Sequence, residues 1–247
     1  IKDFFNPDRI VIGVETENSR KILQQLYEPL AKKIRNQVDD ANEIFVVTDL
    51  NTAELIKHAS NSFLAMKISF INTVSDICDE VGAEVVKVDH GMGMDPRIGS
   101  SFLNAGIGFG GYCLPKDINA FSKIGEDFGV DMSIFRAVSR INDKRYESVI
   151  KKLKSALSVL RDKKAAVWGL SFKPETNDVR EAPSIVIIKA MIEEGMTVRL
   201  HDPEAIEQFK GVISPKFGLV EYYDSPEDAC MGACLLYTSP SPRDGLL

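Results

Sequence analysis

The chain has few of the residues that build special-purpose sites: one tryptophan, three histidines and four cysteines among 247 residues. None of His58, His90 and His201 has a ligand-like partner at close spacing. Cys230 and Cys234 have no second pair to complete a zinc set, so no metal site is expected. Four irregularly spaced cysteines do not make a disulfide framework, which points to a reducing compartment, with the cytoplasm as the expectation. No apolar run approaches the roughly 18 residues of a membrane span. A basic stripe is missing too: 30 Lys plus Arg face 36 Asp plus Glu, a net charge of −6. Short clusters such as Lys151, Lys152 and Lys154 read as solvated helix faces, so nucleic acid is not an expected partner.

What remains is the composition of a globular protein, 44% apolar and 27% charged, long enough for one large domain or two ordinary ones. The chain opens at Ile1 with neither an initiator Met nor the apolar core of a signal peptide, and it reads as starting inside a longer gene. The Ser/Pro-bearing string after Cys234 resembles read-through into foreign sequence. The native pattern is expected to stop near Ala233.

Hydrophobic periodicity divides the rest. Arg9 to Val14 and Ile44 to Val47 read as buried parallel strands joined by a helix from Ser19 to Leu30, the remnant of a crossover unit. Leu55, Ala59, Phe63, Met66, Phe70, Val74, Ile77 and Val81 then recur at steps of 3 or 4. This predicts a helix of about 30 residues, roughly 45 Å long at 1.5 Å per residue. Asn51 and Glu54 suit its start as a capping box and Gly82 its stop, and core packing is the plain account of the stripe. A short helix follows from Ala83 to Gly93, then a glycine-bearing loop to Gly111, a helix from Pro115 to Phe128, and one long helix through Ile134 and Leu157. From Ala165 strand and helix alternate again: strand to Leu170, helix from Ser184 to Glu193, strand from Val198 to His201. The fold class expected is α/β: a partial Rossmann remnant, a central all-helical dimerisation domain with a long helix, and a partial C-terminal Rossmann-like domain. The boundaries expected are 1–47, 48–145 and 146–234, with 235–247 as a non-native tail.

Cys113 is the residue with the clearest chemistry. It falls just before the helix that Pro115 begins, where unpaired backbone N–H groups, the helix dipole and Lys116 favour a charged sulfur. A small buried thiol is the ordinary alternative. Gly106, Gly108 and Gly111 match a dinucleotide fingerprint, but no clear strand precedes them, so a turn that lets backbone approach a ligand is the better reading. Lys57 and Asn61, four apart on the long helix, could together stabilise an oxyanion, although such a pair is usually plain surface. The loop holding Lys173 and Arg180 follows a parallel strand, where cations suit a phosphate.

Several segments in order carry a resemblance: Asn6 to Arg9, Ala53 to Lys57 with Asn61, Gly93 to Gly99, Phe102 to Asp117, and Gly169 to Lys173 with Arg180 and Glu181. Over residues 1–233 the chain resembles the UDP-glucose 6-dehydrogenase family. The resemblance implies an N-terminal NAD-binding domain, a central helical domain that dimerises through its long helix, and a C-terminal domain holding the UDP moiety. It implies oxidation of a sugar C6 alcohol to a carboxylate with two NAD⁺, through a thiohemiacetal and a thioester on Cys113. Lys57 and Asn61 match the oxyanion pair, and Asp117 the carboxylate assisting thiol and water. Phe102, Asn104, Gly110, Phe172 and Lys173 match substrate positions, and Arg97 an arginine contributed by the partner subunit of a homodimer. Lys116 and Arg180 match positions reaching the cofactor. Relatives acting on GDP-mannose or a UDP-N-acetylhexosamine, single-oxidation hydroxyacid dehydrogenases, and a non-catalytic dimerising fragment are the competing readings. Two departures stand out. Tyr112 replaces a small residue before the nucleophile and is expected to crowd the loop. The family's NAD fingerprint and catalytic glutamate have no counterpart here, so the chain by itself is expected neither to bind NAD normally nor to turn over.

Overall fold

A computed structural model describes residues 5, 7–35, 44–214 and 218–238, so Asn6 and residues 239–247 lie outside the described residues. The chain divides into two compact units, 1–60 and 61–247.

In the first unit, β1 (Ile10–Gly13) and β2 (Phe45–Thr48) pair in parallel, joined through α1 (Glu17–Arg35). Ile10, Ile12, Ala31 and Ile44 form its core, as the short β-branched runs predict. The crossover unit is present as expected.

The long helix, α2, runs from Leu50 to Val81 and crosses the unit boundary. Its N-terminus is held by Asp49 rather than the expected Asn51. Asp49 accepts from the Thr52 amide at 2.9 Å and the Thr52 hydroxyl at 2.6 Å. Those two bonds, the hydroxyl's first, keep the Asp49 carboxyl below its ordinary range. Gly82, at φ 72°, ends the helix as expected, and the Ala83 amide folds back to the Cys78 carbonyl. The apolar stripe is where the structure departs from expectation. Leu55, Phe63, Phe70, Ile77 and Val81 are at least half exposed. The buried face is instead Ser62, Ala65, Ile68, Ser69, Ile71, Asn72, Ser75 and Cys78. Small side chains there let neighbouring backbone come close enough for Ser69 Oγ to donate to the Val138 carbonyl at 3.0 Å.

The second unit continues with α3 (Val85–Gly93), α4 (Cys113–Asp127), α5 (Ser133–Asp143) and α6 (Arg145–Leu157). The single helix expected over 134–157 is divided at Lys144 (φ −92°, ψ 0°), which ends α5 and precedes α6. Ala65, Ile68, Phe109, Ile118 and Val138 form the helical core.

A parallel sheet follows in the order β5 (Val220–Tyr222), β4 (Thr197–His201), β3 (Lys164–Trp168), β6 (Leu235–Thr238). It is covered by α7 (Pro183–Glu193), with short helices α8 (Ile206–Lys210) and α9 (Pro226–Cys230) between strands. Strand β6 lies in the segment expected as a tail, outside the expected fold. Leu235 to Thr238 pair in parallel with Ala165 to Trp168, and Leu235 and Tyr237 pack against the sheet core. An alternating Leu-Leu-Tyr-Thr segment fits the open edge of β3 because both its ladder groups and its inward side chains find partners there.

Asp202, buried at 5% exposure, ties the carboxyl ends of β3 and β4 together. One carboxylate oxygen accepts from the Leu170 amide at 2.7 Å and the Ser171 amide at 3.4 Å; the other accepts from Glu204 and Ala205 at 2.8 Å. Removing it strands these amides, so Asp202→Ala is expected to cost about 3 kcal/mol of unfolding free energy, read from urea midpoints; a loss under about 0.5 kcal/mol would contradict this role.

Candidate active site

The site of unit 61–247 is built where the glycine loop 106–112 enters α4. Cys113 is the first residue of that helix and is exposed. No side-chain hydrogen bond from Tyr112 caps the helix, and Pro115 brings no N–H to its first turn. One turn further in, Asp117 sits on the same helix face with its side chain 1% exposed. Asn61 Nδ2 donates to Asp117 Oδ2 at 2.6 Å, and the Lys116 ammonium lies 3.5 Å from Oδ1. The three expected residues Asn61, Cys113 and Asp117 are thus joined through two helices: thiol outside, carboxylate beneath, amide bound to the carboxylate. A carboxylate this deep is tolerated only when paired and hydrogen-bonded, and both partners are present.

Tyr112 does not crowd the thiol. Its ring points outward, 54% exposed, with Lys116 Nζ 5.2 Å and the Arg180 guanidinium 5.3 Å from its centroid. Arg180 is anchored on Asp178 by two N–H···O bonds of 2.9 and 2.6 Å, which hold the Asp178 carboxyl below its ordinary range. Arg180 is held above its own, first by Asp178 and to a lesser degree by the Tyr112 and Cys113 side chains. Lys116 and Arg180, the pair expected to reach a cofactor, are thus two exposed cations gathered at the Tyr112 ring, the residue before the thiol.

The glycines of the loop meet protein. A Cβ on Gly111 would lie 2.6 Å from the Phe172 ring, and one on Gly110 would collide with the Glu181 carbonyl oxygen and the Pro183 ring. The sequence reading expects backbone approach to a ligand here, and the structure shows the approach of these two glycines made to a neighbouring loop and helix start. Phe172 thereby comes against the loop, and Lys173 Nζ stands 5.4 Å from the Phe172 centroid. Phe102 packs on the helical core at φ 63°, so its ring is part of the packing. Asn104 lies with His90 and Val86 along a surface cleft of about 770 Å³. Arg97 is 86% exposed and bound in its own turn to Asp95 at 2.6 Å; that turn is tethered to α2, where Lys67 Nζ donates to the Ile98 carbonyl at 3.1 Å. Lys57 is exposed on the first turns of α2, in the other unit. Among the described residues no group of His, Cys, Asp and Glu could hold a metal ion, and no helix is long and apolar enough to cross a membrane.

Sequence reasoning missed the side chains that hold the loop. Asn72, Asn142 and Arg145 bind its backbone, and nothing in their spacing announced them. It also missed a cavity of about 390 Å³ on this loop, lined by Phe109, Asn142, Asp143, Tyr146, Glu181 and Lys189.

Two family models match this chain. Residues 51–144 match the central domain of the UDP-glucose/GDP-mannose dehydrogenase family, and residues 166–238 match its UDP-binding domain. The chain belongs to the UDP-glucose/GDP-mannose dehydrogenase family. It is 42% identical over 231 residues to a UDP-glucose 6-dehydrogenase of Rickettsia felis, covering 93% of this chain and 49% of that one. With the UDP-glucose 6-dehydrogenase YwqF of Bacillus subtilis it shares 42% over 233 residues, 94% of this chain and 50% of the relative. Among solved structures, a UDP-glucose dehydrogenase from Pyrobaculum islandicum aligns with a TM-score of 0.86 at 35% identity, over 98% of this chain and 53% of that one. A UDP-D-ManNAc dehydrogenase from Pyrococcus horikoshii shares the fold, with a TM-score of 0.76 at 23% identity, over 96% of this chain and 51% of that one. The chain spans about half the length of the curated relatives it matches.

Asp143 gives the cavity a pH signature. Burial, and secondarily the charge of Glu181, raise its carboxyl above the ordinary value of 3.8. A raised folded-state value means that the ionised carboxylate costs stability as pH rises past the unfolded value and through the folded one. Asp143→Asn is therefore expected to unfold at higher urea than the parent at pH 7, with the difference vanishing near pH 3, where both states carry the proton. An equal gain at both pH values would rule out this cause.

Proposed function

We propose that this chain carries the nucleophile and UDP-sugar segments of a cytoplasmic enzyme that catalyses the NAD-dependent, four-electron oxidation of UDP-glucose at C6 to UDP-glucuronate, and that by itself it does not turn over. The observation that supports this best is the exposed Cys113 thiol at a helix start, one turn above a buried Asp117 bound to Asn61.

The chemistry follows from these groups. The Cys113 sulfur adds to the C6 aldehyde, forming a C–S bond while the carbonyl oxygen takes up a proton, and the product is a thiohemiacetal. Lys57 and Asn61 donate to that oxygen as its charge develops. Once the carbon has been oxidised on sulfur to a thioester, water adds, the C–S bond breaks, and Cys113 leaves with the carboxylate formed. Asp117 orders the water and exchanges protons with it. Bound NAD would accept a hydride from C6 in each oxidation. The residues present fit its phosphates at one edge, through the exposed cations Lys116 and Arg180 on either side of Tyr112. Phe172, Lys173, Asn104, Phe102 and the backbone at Gly110 receive the UDP-sugar, and Arg97 completes the site of a second copy. The seven-residue spacing of exposed Phe63, Phe70 and Ile77 on α2 supports a homodimer through the long helix.

UDP-glucose is expected to slow carbamidomethylation of Cys113 by at least tenfold, followed peptide by peptide, with GDP-mannose and UDP-N-acetylglucosamine giving less than half that protection. Protection absent with all three sugars would remove the proposed site. The 247-residue chain with UDP-glucose and NAD⁺ is expected to yield no steady NADH. In light scattering it should run at twice its 27.4 kDa chain mass, and Phe70→Asp should run as the monomer. A wild-type monomer would defeat the dimer and the role of Arg97.

A further inference from the structure

The backbone of the glycine loop is fixed from one side by side chains that none of the chemistry above uses. Asn142, at the end of α5, spans Phe109 with both halves of its amide: Oδ1 accepts from the Phe109 N–H at 2.8 Å and Nδ2 donates to the Phe109 carbonyl at 3.0 Å. It does for this residue what a neighbouring strand would do. The approach is so close that a Cβ on Gly108 would stand 2.5 Å from Asn142 Oδ1. Three residues upstream, Gly106 is held at both ends. Its N–H donates to Asn72 Oδ1 at 2.7 Å, and its carbonyl accepts from Arg145 Nε at 2.7 Å. Arg145 is 7% exposed, and its guanidinium is oriented by an ion pair with Asp76, whose carboxylate also accepts from Ser148 Oγ at 3.0 Å. On the far side of the loop, Gly110 and Gly111 press on the Glu181 carbonyl and the Phe172 ring. The segment that ends at Cys113 is thus pinned at 106, 109, 110 and 111, and only Tyr112 intervenes before the thiol.

We infer that Asn142 is a positioning residue for the Cys113 thiol, acting through Phe109, with Arg145 and Asn72 as its supports. This rests on the reading of Cys113 as the nucleophile. Among the described residues the Phe109 N–H and carbonyl have no other hydrogen-bond partner, so loss of the Asn142 amide frees residues 107–109, between the holds at Gly106 and Gly110, and loosens the approach to the first turn of α4. The rest of the unit keeps its own packing.

The chain carries its own reporters for the test: Cys113 in the loop, exposed Cys234 as a surface reference, and buried Cys78 in α2 as a sensor of general unfolding. In Asn142→Ala, amide exchange over 106–113 is expected to accelerate at least tenfold, while α2 and strands β3 and β4 exchange as in the parent. The Cys113 carbamidomethylation rate, divided by that of Cys234, should fall at least threefold as the first turn of α4 loosens, and Cys78 should stay unreactive. Asn142→Asp still accepts from the Phe109 N–H but cannot donate to its carbonyl, so it should fall between the two. It carries the comparison if the alanine variant does not melt cooperatively. Loop exchange and the Cys113 ratio both within twofold of the parent would overturn the inference. So would acceleration spread over the sheet with Cys78 becoming reactive, which is the behaviour of a general stabiliser. Protection of the parent's Cys113 by UDP-glucose is measured separately, so the assignment of the substrate can fail while the positioning role stands.

Discussion

The Cα of Gly110 lies so near the Glu181 carbonyl and the Pro183 ring that no side chain can be added there. That approach is the constraint on which the candidate site depends. It forces the loop leaving the helical core to run against the start of α7, and the next turn of chain then begins α4 with Cys113 outward and Asp117 inward. The polar cost of the close passage is met from the helical side, where Asn72, Asn142 and Arg145 take up the backbone groups of Gly106 and Phe109. A part-buried loop without regular secondary structure is stable only if these groups find partners, and here side chains supply them. Rigidity at the thiol is therefore a by-product of satisfying buried amides.

The long helix shows the same economy of faces. Its inner side is built from Ser62, Ala65, Ser69, Asn72 and Ser75, small or polar residues that would look poor as a core. They are there because backbone and polar groups come close: Ser69 meets the Val138 carbonyl and Asn72 the Gly106 amide. The large apolar residues, Phe63, Phe70 and Ile77, are left for the outer side. One helix thus holds the site from within and offers a hydrophobic seam without.

This division explains what could and could not be read from the sequence. Periodicity gave the helix its existence and nearly its ends, since Gly82 can adopt the left-handed conformation that stops it. It misassigned the buried face, because burial of Ser and Asn depends on a partner dozens of residues away. Strands β3 and β4 and helix α7 were legible from the alternation of strand and helix patterns after Ala165. The break at Lys144 was not, since Ile134 to Leu157 keep a helical pattern through it. Strand β6 was missed because a tail of unusual composition can still pair wherever an edge is open. At the site, Cys113 was legible from its place before Pro115. Asn142 and Arg145 were silent because their meaning lies in the backbone they touch, which spacing does not encode.

The arrangement at the thiol also bears on why Asp117 is buried while Cys113 is not. A nucleophile must reach a carbon brought from outside, so its sulfur has to be at the surface. The carboxylate proposed to manage its protons acts best where water is scarce and its hydrogen bonds are fixed, because there its interactions are screened least. A single helix turn supplies both conditions, with positions 113 and 117 on one face at different depths. That geometry works only while the first turn of α4 stays wound. Its N-terminus carries no side-chain cap, so what keeps it wound must come from the loop before it. The bonds to Gly106 and Phe109 are then the cap of this helix, placed one loop upstream of where a cap is normally found.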